Sequence, residues 1–364
     1  MMTTAQLKTS APPSAIRRRR WIDTVGAMWA WLFLFALIVV FSIIGKGFLS
    51  LTNFQNILAN MSILAILAFG QTFVIIAAGI DLSTGWVMGM VSVVSAIVMT
   101  SLPEGLPLWL VVLSGSLVGI LVAIMAGMVN GLLIARLNVP PFIATMGMFG
   151  IARGVGFLLS NGMPIPISIS GLGRLGNGYL FYHHPEFGWS FLNQPAGLER
   201  AQMRQLLGVI PFVLIIMIVL LLIAHIMLSR TKFGLRTYAV GGNKEATLRA
   251  GIPVVSQLTR VYVVSAVFAG FAGIVYNLRF TNGAANAGEA LQLDSIAAVV
   301  IGGASLFGGA GTVGGAMIGA LIISVLENGL VIMAINPFWK YIAVGTVIII
   351  AVLIDQARER MVIG

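Results

Sequence analysis

Long apolar runs alternate with short polar breaks along the whole chain. In order, the runs lie near residues 27–44, 57–78, 85–100, 108–135, 142–160, 208–228, 257–278, 293–307, 312–334 and 338–355. Several reach or pass the ~20 apolar residues that a helix needs to cross a bilayer. The ~10-residue alternating segments of a membrane barrel are not found. The pattern predicts an all-α polytopic membrane protein of about ten transmembrane helices. Glycine-bracketed Asp81 interrupts the second and third runs, and Pro140-Pro141 stops any helix before the fifth. Two polar segments are longer. Residues 161–207 are rich in Gly, Pro and Asn, whereas 229–256 are basic and punctuated by glycine. Within the second, Asn243–Ala250 reads as a short surface helix, with Asn243 as its cap and Gly251 as its terminator.

Composition sharpens the class. Hydrophobic residues make up 59% of the chain and charged residues 9%, against roughly 25% charged in soluble domains; mean hydropathy is +1.01. The net charge of +10 suggests nucleic acid until its placement is considered. With the N-terminus inside and every run crossing, fourteen of the twenty-one Lys and Arg fall in inside segments. The positive-inside rule then puts both termini in the cytoplasm, 161–207 outside and 229–256 inside. Arg17–Arg20 read as a cytoplasmic anchor in a tail spanning 1–26. No small-residue cleavage site follows in the position a signal peptide requires. The membrane domain is expected over 27–355, with a second cytoplasmic tail at 356–364.

Much chemistry is excluded. There is no cysteine, hence no disulfide or thiolate. No Gly-x-x-x-x-Gly-Lys-[Ser/Thr] phosphate loop occurs. The three histidines (His183, His184 and His225) lack metal-ligand spacing, and no nucleophile elbow is present. The chain is read as a transporter and not an enzyme, with no metal or cofactor of its own.

Charges inside apolar runs are costly and default to functional candidates. Asp81, Arg153, Asp294 and Glu327 are in this position, while Lys340 falls in an outside segment. Asp81 and Asp294 each precede or open an apolar run, so either could cap a helix or line a pathway. Ser83 and Asn130 join them as candidate pathway or cap residues. Glu327 lies too deep in its run for capping and would pair with Arg153 or with a neighbouring subunit.

A weak repeat is also present. Asn130-Gly131-Leu132 precedes Asn138 and Pro141-Phe142, as Asn328-Gly329-Leu330 precedes Asn336-Pro337-Phe338. The two copies would run in opposite directions, as an inverted-repeat transporter requires; the plainer alternative is that Asn and Pro merely mark helix ends. Glycines four apart, such as Gly85/Gly89 and Gly315/Gly319, indicate close helix packing in lipid.

Several longer motifs together carry a family resemblance over about residues 50–355. They are Gly79-Ile80-Asp81-Leu82-Ser83-x-Gly85, Asn138-Val139-Pro140-x-Phe142-Ile143-Ala144-Thr145 and Phe233-Gly234. Ala239-Val240-Gly241-Gly242-Asn243-x-Glu245-Ala246 and Gly251-Ile252 follow, then Leu293-Asp294-x-Ile296-Ala297-Ala298-Val299-Val300-Ile301-Gly302-Gly303. Gly308-Gly309-x-Gly311-Thr312 and Ile335-Asn336-Pro337 close the series. With them the chain resembles the permease subunit of bacterial ATP-binding cassette importers for sugars, of the ribose/xylose/galactose branch. The resemblance implies an inner-membrane protein paired with a second copy of itself or a paralogous permease. It implies separate ATPase subunits that carry ATP and Mg, and a periplasmic sugar-binding protein that delivers substrate. It also implies that Gly241, Gly242, Asn243, Glu245, Ala246, Arg249 and Gly251 form the coupling segment that inserts into the ATPase. Lys244, Thr247, Leu235, Gln292 and Glu327 depart from the family's usual residues. The first three bear on which ATPase is the partner. The alternatives are a permease of the same class for another neutral solute, such as a nucleoside or an autoinducer, and an ion-coupled secondary transporter using Asp81 or Asp294.

Overall fold

The structure is a computed structural model that describes residues 13–350, apart from 196, 204, 337 and 348, together with residue 353. The expected C-terminal tail, the first twelve residues and the side chains of Arg17–Arg20 lie outside the described residues.

The chain opens with five helices: α1 (Pro13–Ile44), α2 (Leu51–Ile76), α3 (Thr84–Ser101), α4 (Leu108–Ala135) and α5 (Pro141–Ser160). A small mixed region follows, with β1 (Ile165–Pro166), α6 (Leu172–Asn177), β2 (Tyr179–His184), β3 (Gly188–Phe191), α7 (Arg200–Met203) and β4 (Leu207–Pro211). Then come α8 (Phe212–Arg230), α9 (Lys232–Gly242), α10 (Lys244–Arg249), α11 (Val254–Phe280), β5 (Asn282–Gly283), α12 (Leu291–Ile301) and α13 (Val313–Ile332). Residues 339–347 are again helical.

The all-α polytopic architecture matches the expectation. Among the described residues, α2, α3, α4, α5, α8, α11 and α13 are long and apolar enough to cross a membrane, and α1 adds the apolar stretch Trp29–Ile44. The run at 293–307 departs from the expected full crossing. It forms only the eleven-residue α12, about 16 Å long at 1.5 Å per residue, roughly half the ~30 Å hydrocarbon thickness. The glycine-rich segment 302–311 ends that helix early. The run at 208–228 becomes helical only at Phe212, because residues 207–211 pair as β4 with β2. The 161–207 excursion is more ordered than its composition suggests. β2 pairs antiparallel with β3 and β4, in registers that include Tyr182↔Ser190 and Phe181↔Val209. β1 pairs with β5, Ile165 opposite Gly283.

Two helices form the centre. α2 is buried along almost its whole length and α11 along most of its own. They pack against each other; α11 also lies on α3 and α4, and α2 lies on α12 and α13. α2 and α4 end on the face that carries α9 and α10, whereas α11 and α13 begin there. α2–α3–α4 and α11–α12–α13 therefore run in opposite directions. The Asn130-Gly131 and Asn328-Gly329 copies sit on α4 and α13, which run in opposite directions. Opposite direction is what an inverted repeat would show, and Asn130 and Asn328 also both lie near the ends of their helices, as a helix-end signal would place them.

Lipid tails are as apolar as leucine, so close packing holds such helices together more than hydrophobic transfer does. Phe268 of α11 meets Phe69 edge-on at 6.3 Å and stacks on Phe73 at 6.4 Å between ring centroids. Such pairs contribute about 0.5–1.5 kcal/mol each beyond area burial. Trp109, Leu113, Leu117 and Leu121 of α4 and Leu222 and Ile226 of α8 are exposed, as side chains facing lipid would be.

The backbone from Ala284 to Ala290 re-enters the bundle without a helix. Non-helical backbone at membrane depth is stable only when protein covers it, and α3 provides that cover. Gly89 has no side chain where Ala285 crosses it, and an added Cβ would land on the Ala285 carbonyl. Ser92 Oγ donates to Asn277 Oδ1 at 2.5 Å, Asn277 Nδ2 donates to the Ser92 carbonyl at 2.9 Å, and the Ala284 amide donates to Ser92 Oγ at 3.0 Å.

Candidate functional site

The basic segment after α8 folds as two short helices. Thr231 starts α9, its hydroxyl accepting from the Gly234 amide at 3.3 Å. Gln257 Nε2 of α11 donates to the Phe233 carbonyl at 2.9 Å and to Thr237 Oγ1 at 2.8 Å, fastening α9 to α11. The sequence reading missed α9. Its signal is Phe233, Thr237 and Val240 on one face at helical spacing, behind a threonine cap. α10 then begins at Asn243, whose extended backbone (φ −161°, ψ 101°) lets Oδ1 accept from the Ala246 amide at 2.8 Å. Thr247 Oγ1 donates to the Ala239 and Asn243 carbonyls at 2.8 and 2.7 Å, holding α10 to the end of α9. Gly251, at φ +76°, occupies the left-handed conformation that commonly terminates a helix.

The outer side of α10 is open. Glu245 and Arg249 pair at 2.6 Å with their side chains 75% and 78% exposed, an i,i+4 contact of the kind that contributes about 0.3–0.5 kcal/mol. Leu248 stands exposed between them. α10 thus presents a leucine flanked by opposite charges, on a helix held only by the flanking α9 and α11. A cavity of about 340 Å³ lies behind it, lined by Ala78, Gly79, Asn138, Pro140, Gly242 and Tyr262 among others.

Asp81 sits in the interruption between α2 and α3 and is fully buried. Its Oδ1 accepts from the Ser83 amide at 2.9 Å and from Ser83 Oγ at 2.6 Å. Its Oδ2 accepts from Ser265 Oγ of α11 at 3.1 Å. Asn130 Nδ2 of α4 donates to Ser83 Oγ at 3.0 Å. Gln71 Nε2 of α2 donates to the Asp81 carbonyl and, at 3.1 Å, to Thr84 Oγ1. The Asp81–Ser83 turn therefore gathers α2, α3, α4 and α11, with the carboxylate itself reaching Ser83 and Ser265. Asp81 is not the helix cap that the sequence allowed: Ser83 occupies that position, without a side-chain bond to the helix.

Asp294 likewise fails as a cap. α12 begins at Leu291 behind Ala290, and Asp294 lies within the first turn. It pairs with Lys340 at 2.9 Å, and Lys340 also reaches Glu327 at 3.2 Å. The Lys340 and Asp294 side chains are only 7% and 3% exposed, and that of Glu327 is 48% exposed. Lys340, counted with the outside segments from its place in the sequence, is buried in the bundle. The last helix brings it into the bundle, because two acids on α12 and α13 offer the compensation that a buried ammonium needs. The signal was a lone lysine early in an apolar run, with Asp294 and Glu327 in the two runs before it. Arg153 does not pair with Glu327; its guanidinium lies 4.9 Å from the centre of the Trp86 ring. Among the described residues, no group of His, Asp and Glu is arranged to hold a metal ion.

A family described as branched-chain amino acid transport system / permease component matches residues 53–352. The ribose import permease protein of Bacillus subtilis (strain 168) is 35% identical, covering 98% of this chain and 100% of its own length. The galactose/methyl galactoside import permease protein of Haemophilus influenzae is 34% identical, over 89% of this chain and 93% of its own. The xylose transport system permease protein of Escherichia coli (strain K12) is 33% identical, over 86% and 87%. No solved structure matches the chain. The match spans both buried polar clusters and the α9–α10 segment, so the chain belongs to the branched-chain amino acid transport system / permease component family and is a permease subunit of an ATP-binding cassette importer, not an enzyme.

Proposed function

We propose that the chain, with a second copy of itself or a paralogous permease, forms the passage through which a pentose, hexose or related polyol is imported. The sugar is delivered by a periplasmic binding protein, and ATP with its Mg is hydrolysed on separate ATPase subunits. The similarity to ribose, galactose and xylose permeases over nearly the whole chain supports a sugar as cargo. The bias of Lys and Arg supports both termini on the cytoplasmic side of the bacterial inner membrane. The face bearing α9 and α10 is then cytoplasmic, and the small sheet of 161–207 lies toward the binding protein.

One observation carries the coupling role: α10 is a capped, outward-standing helix whose exposed side bears Glu245, Leu248 and Arg249. A partner ATPase that grips this side and closes on ATP displaces α10. The Thr247 and Gln257 hydrogen bonds pass that displacement to α9 and α11. Gly241, Gly242, Asn243, Ala246 and Gly251 shape the segment, while Glu245 and Arg249 make the contact. Asp81, Ser83, Asn130, Asp294 and Glu327 hold the bundle in register.

The test is purification from the native membrane in mild detergent, identification of co-purifying chains by mass spectrometry, and uptake in liposomes with those chains. A phosphate-loop ATPase and a sugar-binding protein are expected, with uptake that requires ATP. Glu245→Arg should abolish uptake while leaving the permease in the membrane. A chain that transports alone without ATP would overturn the reading.

A further inference from the structure

The α9–α10 segment touches more than the helices it is covalently joined to. The end of α9 packs against two distant elements. Gly241 lies so close to the end of α2 that an added Cβ would land on the Ile76 carbonyl. That same carbonyl accepts from the Gly309 amide at 2.8 Å. One turn earlier on α9, the Tyr238 hydroxyl donates to the Gly311 carbonyl at 2.7 Å. Gly308 is equally tight, since a Cβ there would stand 2.8 Å from the Gly241 carbonyl and 2.7 Å from Ala78 Cβ.

The two elements share a property. Residues after Ile76 form the interruption that leads to Asp81 and starts α3. Segment 302–311 ends the half-length α12. Both are non-helical segments next to membrane helices, one before α3 and one after α12. Backbone-to-backbone contacts without intervening side chains transmit displacement with little slack, because packed interfaces deform little.

We propose that Tyr238, Gly241 and Gly309 form a second transmission route, carrying motion of α10 directly to these two non-helical segments as well as through the covalently attached α8 and α11. They are positioning residues; none is proposed to touch the sugar. The inference rests on the reading that α10 is gripped by the ATPase.

The test uses the complete importer in liposomes and exploits the absence of cysteine in the chain. Tyr238→Phe removes one hydrogen bond with little change of shape and should lower sugar taken up per ATP hydrolysed about three- to tenfold. Gly241→Ala should lower it further by wedging α9 from α2. Ala78→Cys, on an exposed residue beside the junction, provides a readout that a merely structural role would not move. Its labelling by a membrane-impermeant maleimide should change on ATP binding, and that change should be lost when Tyr238→Phe is added. Unaltered uptake per ATP in Tyr238→Phe, or an ATP-dependent labelling change that survives it, overturns the second route. Unaltered uptake in Glu245→Arg instead overturns the gripping of α10, which separates the two failures.

Discussion

Lys340 shows how one residue's meaning depends on its neighbours. It is a single ammonium against two carboxylates, inside a bundle where an uncompensated charge is very costly. Lys340→Met should destabilise the protein by about 3–5 kcal/mol, because it strands Asp294. Pairing it with Asp294→Asn should recover most of the loss. Thermal unfolding of both variants in detergent checks this, and equal instability of the single and double variants would contradict the ion pair. Asp81 is compensated differently, by hydroxyl and amide donors in place of a cation. Asp81→Ala leaves the Ser83 amide and the Ser83 and Ser265 hydroxyls short of an acceptor, and each buried unsatisfied group costs about 1–3 kcal/mol. Membrane level and uptake should fall together; normal expression with absent uptake would instead place Asp81 on the sugar's path. The sequence made Asp81, Asp294 and Glu327 conspicuous because acids are rare in apolar runs. It could not name their partners, since Ser265 is 184 positions from Asp81.

At the scale of elements, α10 and α12 behave oppositely. α10 was legible because its signals are local: an Asn cap, a first-turn acid, a last-turn base and a terminating glycine, all within a few residues. Asn243→Ala should weaken α10 by about 1 kcal/mol while leaving the bundle intact. Faster hydrogen exchange confined to α10 amides, with reduced uptake, is the expected result. α12 was not legible as a short helix. An apolar run from 293 to 307 satisfies composition for a crossing, yet the helix stops at Ile301. Whether non-helical backbone is stable at that depth depends on the protein that covers it: α3 and the Ser92–Asn277 pair before α12, and the end of α2 with α9 after it. Gly89→Leu should separate α3 from the re-entrant backbone at Ala285 and lower the yield of folded protein, read as loss of the monodisperse peak in size-exclusion chromatography.

For the whole molecule, α3 and α12, each next to a non-helical segment, pack on a central α2–α11 pair. A device built this way and driven by separate ATPases should keep taking up sugar when an uncoupler collapses the proton gradient, and should stop when ATP is depleted. Uptake measured under both conditions distinguishes it from an ion-coupled transporter. The solvent class, the approximate spans, the weak repeat and the α10 helix were legible in the amino-acid order. Each depends on hydropathy over a window or on residues a few positions apart. Tertiary structure alone decided that Lys340 is buried, that the Asp81–Ser83 turn gathers four helices and Asp81 is not a cap, that α12 spans only about half the bilayer, and that α9 ends against Ile76 and Gly309. Those outcomes depend on contacts between segments tens to hundreds of residues apart, where the free energy of a buried charge or a bare backbone is set by what the fold brings beside it and not by its neighbours in the chain.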